Sequence, residues 1–316
     1  MMKRILIVLC ILALSLSTVW ALAEKRQAPD DQKVITTNDI PGFETVFRQY
    51  NAKFYDAPSQ EPGTVVSLSY TTNVYGGELE NHVKVYLPYG YGEDAQQRYD
   101  IIYFYHGTNE TQDSFIGDER AKNALDNMIE TGIAKPFIMV FPTYYYDYEK
   151  RAFDLELFQE EMRRDIMPAV ESAYKTYAET PDGLGFAASR NHRAFAGYSN
   201  GCRVCWYSFC KLLDTAYYFL PMSNSIGIPT ITDSVYAQSD YKGKYFVYAC
   251  CGGPRDDLST ATVNLVNGLL KNPDCFSYGL NTEAGNNLFL CKSNGLHQTL
   301  TGRHFLYNAW IDILFH

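Results

Sequence analysis

The run from Arg193 to Gly201 (Arg-Ala-Phe-Ala-Gly-Tyr-Ser-Asn-Gly) constrains this chain more than any other stretch. A short apolar strand leads directly into Gly-x-Ser-x-Gly. Ser199 then sits on a very tight strand-to-helix turn, where side chains at positions 197 and 201 would clash, and its hydroxyl is left exposed at the edge of a sheet. Cys202 to Cys210 continue as a helix whose first N–H groups and partial positive charge face the serine. The five-residue pattern alone is a common glycine-rich turn. The strand before it and the helix after it make it informative.

The rest of the chain repeats this alternation. Strands are expected at 65–70, 80–88, 101–105, 137–142, 217–222, 245–250 and 287–291. Several are continuous apolar runs such as Ile101 to Tyr105, the pattern of strands buried on both faces. Helices are expected at 121–131, 155–177, 260–271 and 302–315. In the second of these, apolar residues recur at Leu155, Phe158, Met162, Ile166, Val170 and Tyr174, and Pro168 should kink it. Strands alternating with helices predict an α/β fold with a mostly parallel sheet covered on both faces. Residues 24 to about 45 read as a poorly ordered arm or a strap over the domain.

The N-terminus fits a secretory signal peptide over residues 1–23. Lys3 and Arg4 precede an apolar run, and Ala21-Leu22-Ala23 supplies a small-x-small cleavage site. Residues 24–316 are then expected to form a single catalytic domain in a secreted, extracellular protein with no membrane span. The formal net charge of -9 argues against nucleic acid as a partner. Seven cysteines lie beyond the signal: Cys202, Cys205, Cys210, Cys250, Cys251, Cys275 and Cys291. Cys202-x-x-Cys205 has metal-ligand spacing, but no second pair accompanies it, and buried packing residues are the expectation.

A serine hydroxyl is a weak nucleophile. It needs a base within hydrogen-bond reach and a carboxylate to orient that base. After an elbow of this kind the acid and then the histidine follow in the chain. Of His297, His304 and His316, only His297 lies in a glycine-containing loop just past a strand. The acid should lie in the loop after Cys250, where Asp256 and Asp257 are both available. Oxyanion donors are expected from the Asn200 N–H and from Thr108, in the turn after the strand 101–105, with His106 bracing that turn. Such a relay needs no metal or cofactor, and none is expected.

The chain resembles the carbohydrate esterase family of feruloyl esterases and related acetyl-xylan esterases, which have the α/β-hydrolase fold. The matching stretches run in order along the chain. They are Val85 to Tyr91, Tyr105 to Thr108, Asp165 to Glu171, Tyr174 to Tyr177, His192 to Ser199, Phe219 to Ser223, Gly295 to His297 and Tyr307 to Ala309. The resemblance implies Ser199 as nucleophile, His297 as base and, from Gly253-Pro254-Arg255-Asp256, Asp256 as the acid.

This sequence departs from the family pattern at Asn200-Gly201-Cys202, at Asn224-Ser225-Ile226 and at Gln298-Thr299-Leu300, where the family often carries glycines or tryptophans. Those positions bear on the acyl pocket. The resemblance implies release of ferulic acid from plant cell-wall xylan, with an ester of that polysaccharide or oligosaccharide as the partner. The other readings are an acetyl-xylan esterase, another serine hydrolase such as a peptidase or lipase, and a non-catalytic carbohydrate-binding relative. Tyr144, Tyr145 and Tyr146, just past the strand 137–142, are expected by default to be packing residues, the alternative being that they line a pocket and stack on a substrate ring.

Overall fold

Two strands open the described chain, where the sequence suggested a poorly ordered arm or a strap over the domain. The computed structural model describes residues 33–49, 52–58 and 62–316, so the signal-peptide expectation lies outside the described residues. Instead of a loose arm, β1 (Lys33–Ile40) and β2 (Phe43–Gln49) pair antiparallel as a hairpin. Long-range polar contacts hold it. Arg48 Nη1 lies 2.7 Å from Asp312 Oδ1, Lys292 Nζ lies 2.6 Å from Asp39 Oδ1, and Arg48 N–H donates to Asn308 Oδ1 at 2.7 Å.

The main sheet comprises β3 (Thr64–Thr72), β4 (Leu79–Leu87), β5 (Asp100–Tyr105), β6 (Phe137–Phe141), β7 (Arg193–Tyr198), β8 (Tyr218–Met222), β9 (Phe246–Cys251) and β10 (Leu288–Lys292). Its order is β10-β9-β8-β7-β5-β6-β4-β3. The pairings β3–β4 and β4–β6 are antiparallel and the rest are parallel. Each expected strand forms within two residues of its expected bounds. The reason is visible in β5, β6, β7, β8 and β9, where every residue is buried, as the interior of a parallel sheet requires. Parallel strands all point one way, so the loops after β5, β7, β9 and β10 gather along one edge.

The expected long helix 155–177 is broken. Leu155–Glu161 and Met167–Ala173 are α-helical, and Met162–Ile166 between them is a π-turn. Pro168 has no N–H to donate back along the helix, and the wider turn just before it absorbs the disruption without a simple kink. The chain is extended again by Tyr174.

Candidate active site

Ser199 follows β7 with φ 58° and ψ −116°, a backbone conformation that non-glycine residues rarely adopt. Contacts on both sides impose it. A Cβ on Gly197 would lie 2.1 Å from Gly201 O, and one on Gly201 would lie 2.2 Å from Tyr105 O. Here glycine is required by close approach of backbone to backbone. Ser199 N–H donates to Met222 O at 2.9 Å, and the helix Asn200–Lys211 starts at once.

The loops after β9 and β10 bring the other two groups in. His297 Nε2 lies 2.9 Å from Ser199 Oγ, and His297 Nδ1 lies 2.8 Å from Asp256 Oδ1. Asp257 Oδ1 is also near, at 3.7 Å from Nδ1, but the Asp257 side chain is 82% exposed whereas that of Asp256 is fully buried. Asp256 Oδ2 accepts from Ser223 Oγ at 2.8 Å and from Gly252 N–H at 2.7 Å, and Oδ1 accepts from Leu258 N–H at 3.0 Å. Burial disfavours the Asp256 charge. Donation from His297, Ser223 and the two backbone N–H groups outweighs it, and the carboxyl is held below its usual range. The bond to Asp256 raises the pKa of His297 against the opposing effect of burial, with Asp257 and Glu110 adding in the same sense.

Asp256, Asp257 and His297 also offer three ligand atoms within 4.8 Å of one another. Two of the three are already committed, since Asp256 takes four hydrogen bonds and His297 Nδ1 is one of the donors. Cys202 and Cys205 pack inside the protein. Both are buried, their thiols turn to the carbonyls of Asn224 and Phe195, and burial pushes both thiol pKa values up. All seven cysteines among the described residues are free and buried.

The turn after β5 sits against the serine, with a Cβ placed on Gly107 coming 3.5 Å from Ser199 Cβ. Three donors hold the Gly107 carbonyl: His106 Nδ1 at 2.8 Å, Tyr144 Oη at 3.1 Å and Glu110 N–H at 3.3 Å. In a trans peptide the C=O and the following N–H point in opposite directions, so these donors also set the direction of the Thr108 N–H. His106 must carry its proton on Nδ1 to reach a carbonyl, and Nε2 then accepts from Thr143 Oγ1 at 2.9 Å. Burial lowers the His106 pKa to about 4, so the ring is neutral and serves as a brace. Asn200 N–H is in the first turn of its helix, and its side-chain Nδ2 donates to Tyr144 Oη at 3.0 Å.

The three tyrosines divide between the two expectations, with Tyr146 exposed. Tyr144 and Tyr145 are buried, and their hydroxyls bond the turn beside the serine: Tyr144 Oη to Gly107 O, and Asn109 N–H to Tyr145 Oη at 3.2 Å. They support the site and do not offer ring faces to a substrate.

Sequence reasoning missed Ser223 and Glu110. Ser223 has φ 58° and its N–H donates to Cys250 O at 2.7 Å, which aims its hydroxyl at Asp256. Glu110 accepts from Gly107 N–H at 2.7 Å and from Thr299 Oγ1 at 2.6 Å, tying the turn after β5 to the helix that follows His297. Ser223 ends one of the matching stretches, but its role, like that of Glu110, depends on a partner from a distant part of the chain. A cavity of about 250 Å³ lies beside the histidine loop, between Arg255, Asn294, Leu296 and Gln298 and the strand β2. A larger one, about 430 Å³, lies near Asp100 and His192 at the opposite edge of the sheet, away from Ser199.

The sheet order and the strained serine turn define an α/β-hydrolase, and comparison with known proteins agrees. An Esterase family model matches residues 78–202. Endo-1,4-beta-xylanase Y of Acetivibrio thermocellus is 32% identical over 271 residues, covering 83% of this chain and 24% of that protein. The chain thus spans about a quarter of the length of that relative. A serine-to-alanine mutant of the feruloyl esterase module from Clostridium thermocellum, complexed with sinapinate, superposes with a TM-score of 0.75 at 30% identity, over 85% of this chain and 94% of the module. A ferulic acid esterase from Anaeromyces mucronatus, in complex with ferulic acid, shares the fold at TM-score 0.59 and 19% identity, over 84% of this chain and 96% of that one. The chain belongs to the feruloyl-esterase-like carbohydrate esterase family. No helix among the described residues is long and apolar enough to cross a membrane.

Proposed function

We propose that this protein is a secreted serine esterase that releases ferulic acid from plant cell-wall xylan through an acyl-enzyme. The observation that carries the reading is the continuous relay from the strained Ser199 hydroxyl through His297 to buried Asp256, at 2.9 and 2.8 Å. Membership of a family with feruloyl esterase modules supports the ester class.

Ser199 Oγ attacks the ester carbonyl while His297 Nε2 takes its proton. Asp256 keeps the imidazole oriented and favours the imidazolium that forms. The N–H groups of Asn200 and Thr108 receive the developing oxyanion. His297 then returns the proton to the departing sugar oxygen, and water repeats the sequence on the acyl-enzyme, freeing the acid and Ser199.

The test compares kcat/KM for methyl ferulate and for an acetylated xylo-oligosaccharide. Preference for the ferulate ester is expected. Preference for the acetyl ester would reject the acyl assignment and leave the serine chemistry standing. A fluorophosphonate adduct should map to the peptide holding Ser199, and its absence from folded protein would overturn the mechanism. Sequencing the N-terminus of exported protein tests cleavage after Ala23.

A further inference from the structure

Three of the large exposed side chains of this protein lie on one short loop. Tyr146, Tyr148 and Phe153 are 38%, 39% and 40% exposed, and all follow β6 at the edge of the sheet that carries Ser199. The loop is closed like a small hairpin. Tyr146 N–H donates to Ala152 O, and Ala152 N–H donates to Asp147 O, both at 3.0 Å. Arg151 Nη1 donates to Asn109 Oδ1, and Asn109 N–H donates to Tyr145 Oη, so the loop is fastened to the turn beside the serine.

The rings are also held in place. Tyr75, from the loop between β3 and β4, packs on Tyr146 with centroids 4.8 Å apart. Tyr75 Oη donates to Glu161 Oε2 at 2.7 Å, and Tyr70 Oη donates to Glu161 Oε1 at 2.7 Å. Glu161 is 1% exposed, so a carboxylate is kept out of water where it anchors these hydroxyls. Tyr148 Oη donates to Gln112 Oε1, and Gln112 Nε2 lies 2.8 Å from His82 Nε2.

We infer that this ledge of Tyr75, Tyr146, Tyr148 and Phe153 binds the neutral sugar chain on the alcohol side of the ester. The inference rests on the esterase reading above. Pyranose faces present C–H groups that pack on aromatic faces, and their equatorial hydroxyls need polar partners at the rim. Asp147 and Lys150, an ion pair at 2.8 Å on the same loop, bring polar groups next to the rings. An open ledge suits an extended chain, whereas a small acyl group needs an enclosing pocket. Tyr75 and Tyr148 have anchored hydroxyls, Tyr146 packs on Tyr75 and Phe153 packs on Tyr144 and Tyr145, so the four rings lose little freedom on binding. Because the loop is fastened to the turn beside Ser199, a chain esterified there has a direct path onto it.

The test is a Tyr146→Ala/Phe153→Ala double variant assayed on methyl ferulate and on a feruloylated xylo-oligosaccharide. The ratio of kcat/KM for the oligosaccharide ester over methyl ferulate should fall about tenfold, mainly through KM. Tyr146→Trp should keep the ratio, which separates ring stacking from general damage. A ratio within twofold of wild type, or equal loss on both esters, would overturn the inference.

Retardation of Ser199→Ala protein in gels containing soluble unesterified xylan reads the ledge without any turnover. Retardation that the double change abolishes supports the ledge even if the esterase reading fails. No retardation of the parent overturns it. Sedimentation that shows a dimer dissolved by the double change would assign the ledge to a second copy of the chain and also overturn it.

Discussion

The two ends of β7 carry buried polar groups of similar number and opposite purpose. At its start, Arg193 forms a bidentate pair with Glu171, Nε to Oε1 at 2.8 Å and Nη2 to Oε2 at 2.7 Å, with both side chains essentially inaccessible. Glu171 also accepts from Tyr103 Oη at 3.0 Å and Thr176 Oγ1 at 2.9 Å, and Arg193 donates to the carbonyls of Phe186 and Thr215. These partners lie within the protein, and the arrangement has no proton to pass on.

At the other end, Asp256 is as thoroughly bonded, but one of its four donors is His297, a quarter exposed and titratable, with its pKa raised by the bond to Asp256. The first network locks β7 in place. The second uses the same saturation to bias one titratable ring toward Ser199.

The largest expected effect is at the chemical end. Ser199→Ala should lower kcat by on the order of 10⁴-fold or more while leaving the thermal midpoint near wild type, because nucleophile and base act as a unit. A midpoint lowered by many degrees would show that the elbow also serves stability and would blur the contrast between the two ends.

Asp256→Asn should lose activity on the same order, ~10⁴-fold, whereas Asp257→Asn should keep most of it. The reverse result would reassign the acid. The pH profile gives the sign. His297 must be neutral to act as base, and Asp256 raises its pKa. Residual activity of Asp256→Asn should therefore persist to lower pH than wild type, and an acid limb that moves up would contradict the assignment.

Glu171→Gln leaves the Arg193 charge buried without a counterion. A loss of roughly 3–5 kcal/mol of stability is expected, with kcat per folded molecule little changed. Denaturant titration alongside active-site counting separates the two quantities. A Glu171→Gln protein of normal stability and low kcat would erase the distinction between the ends.

Ser223→Ala should be the mildest of the changes to the groups bonded in the relay. It removes one of four donors to Asp256, and kcat is expected to fall by about tenfold or less, consistent with a single hydrogen bond to a charged group worth roughly 1.5–3 kcal/mol of which only part is felt at His297. A loss as large as that of Asp256→Asn would make Ser223 an equal member of the relay.

The strands of the main sheet, the tight turn at Ser199 and the place of His297 in a loop past the last strand were all legible in the amino-acid sequence. These depend on short-range order: apolar runs of strand length, glycines two positions on either side of a serine, and a loop histidine after the last strand. Tertiary structure decided what local pattern does not encode. Asp256 and Asp257 are adjacent and chemically alike, and only Asp256 turns inward to Gly252, Ser223 and His297. Residues 33–49 became a hairpin because Arg48 and Asp39 find partners more than two hundred residues away. Glu110 reaches Thr299 across 189 residues of chain. A partner that far along the sequence leaves no periodicity to read, and its effect is set only when the sheet brings the loops to one edge.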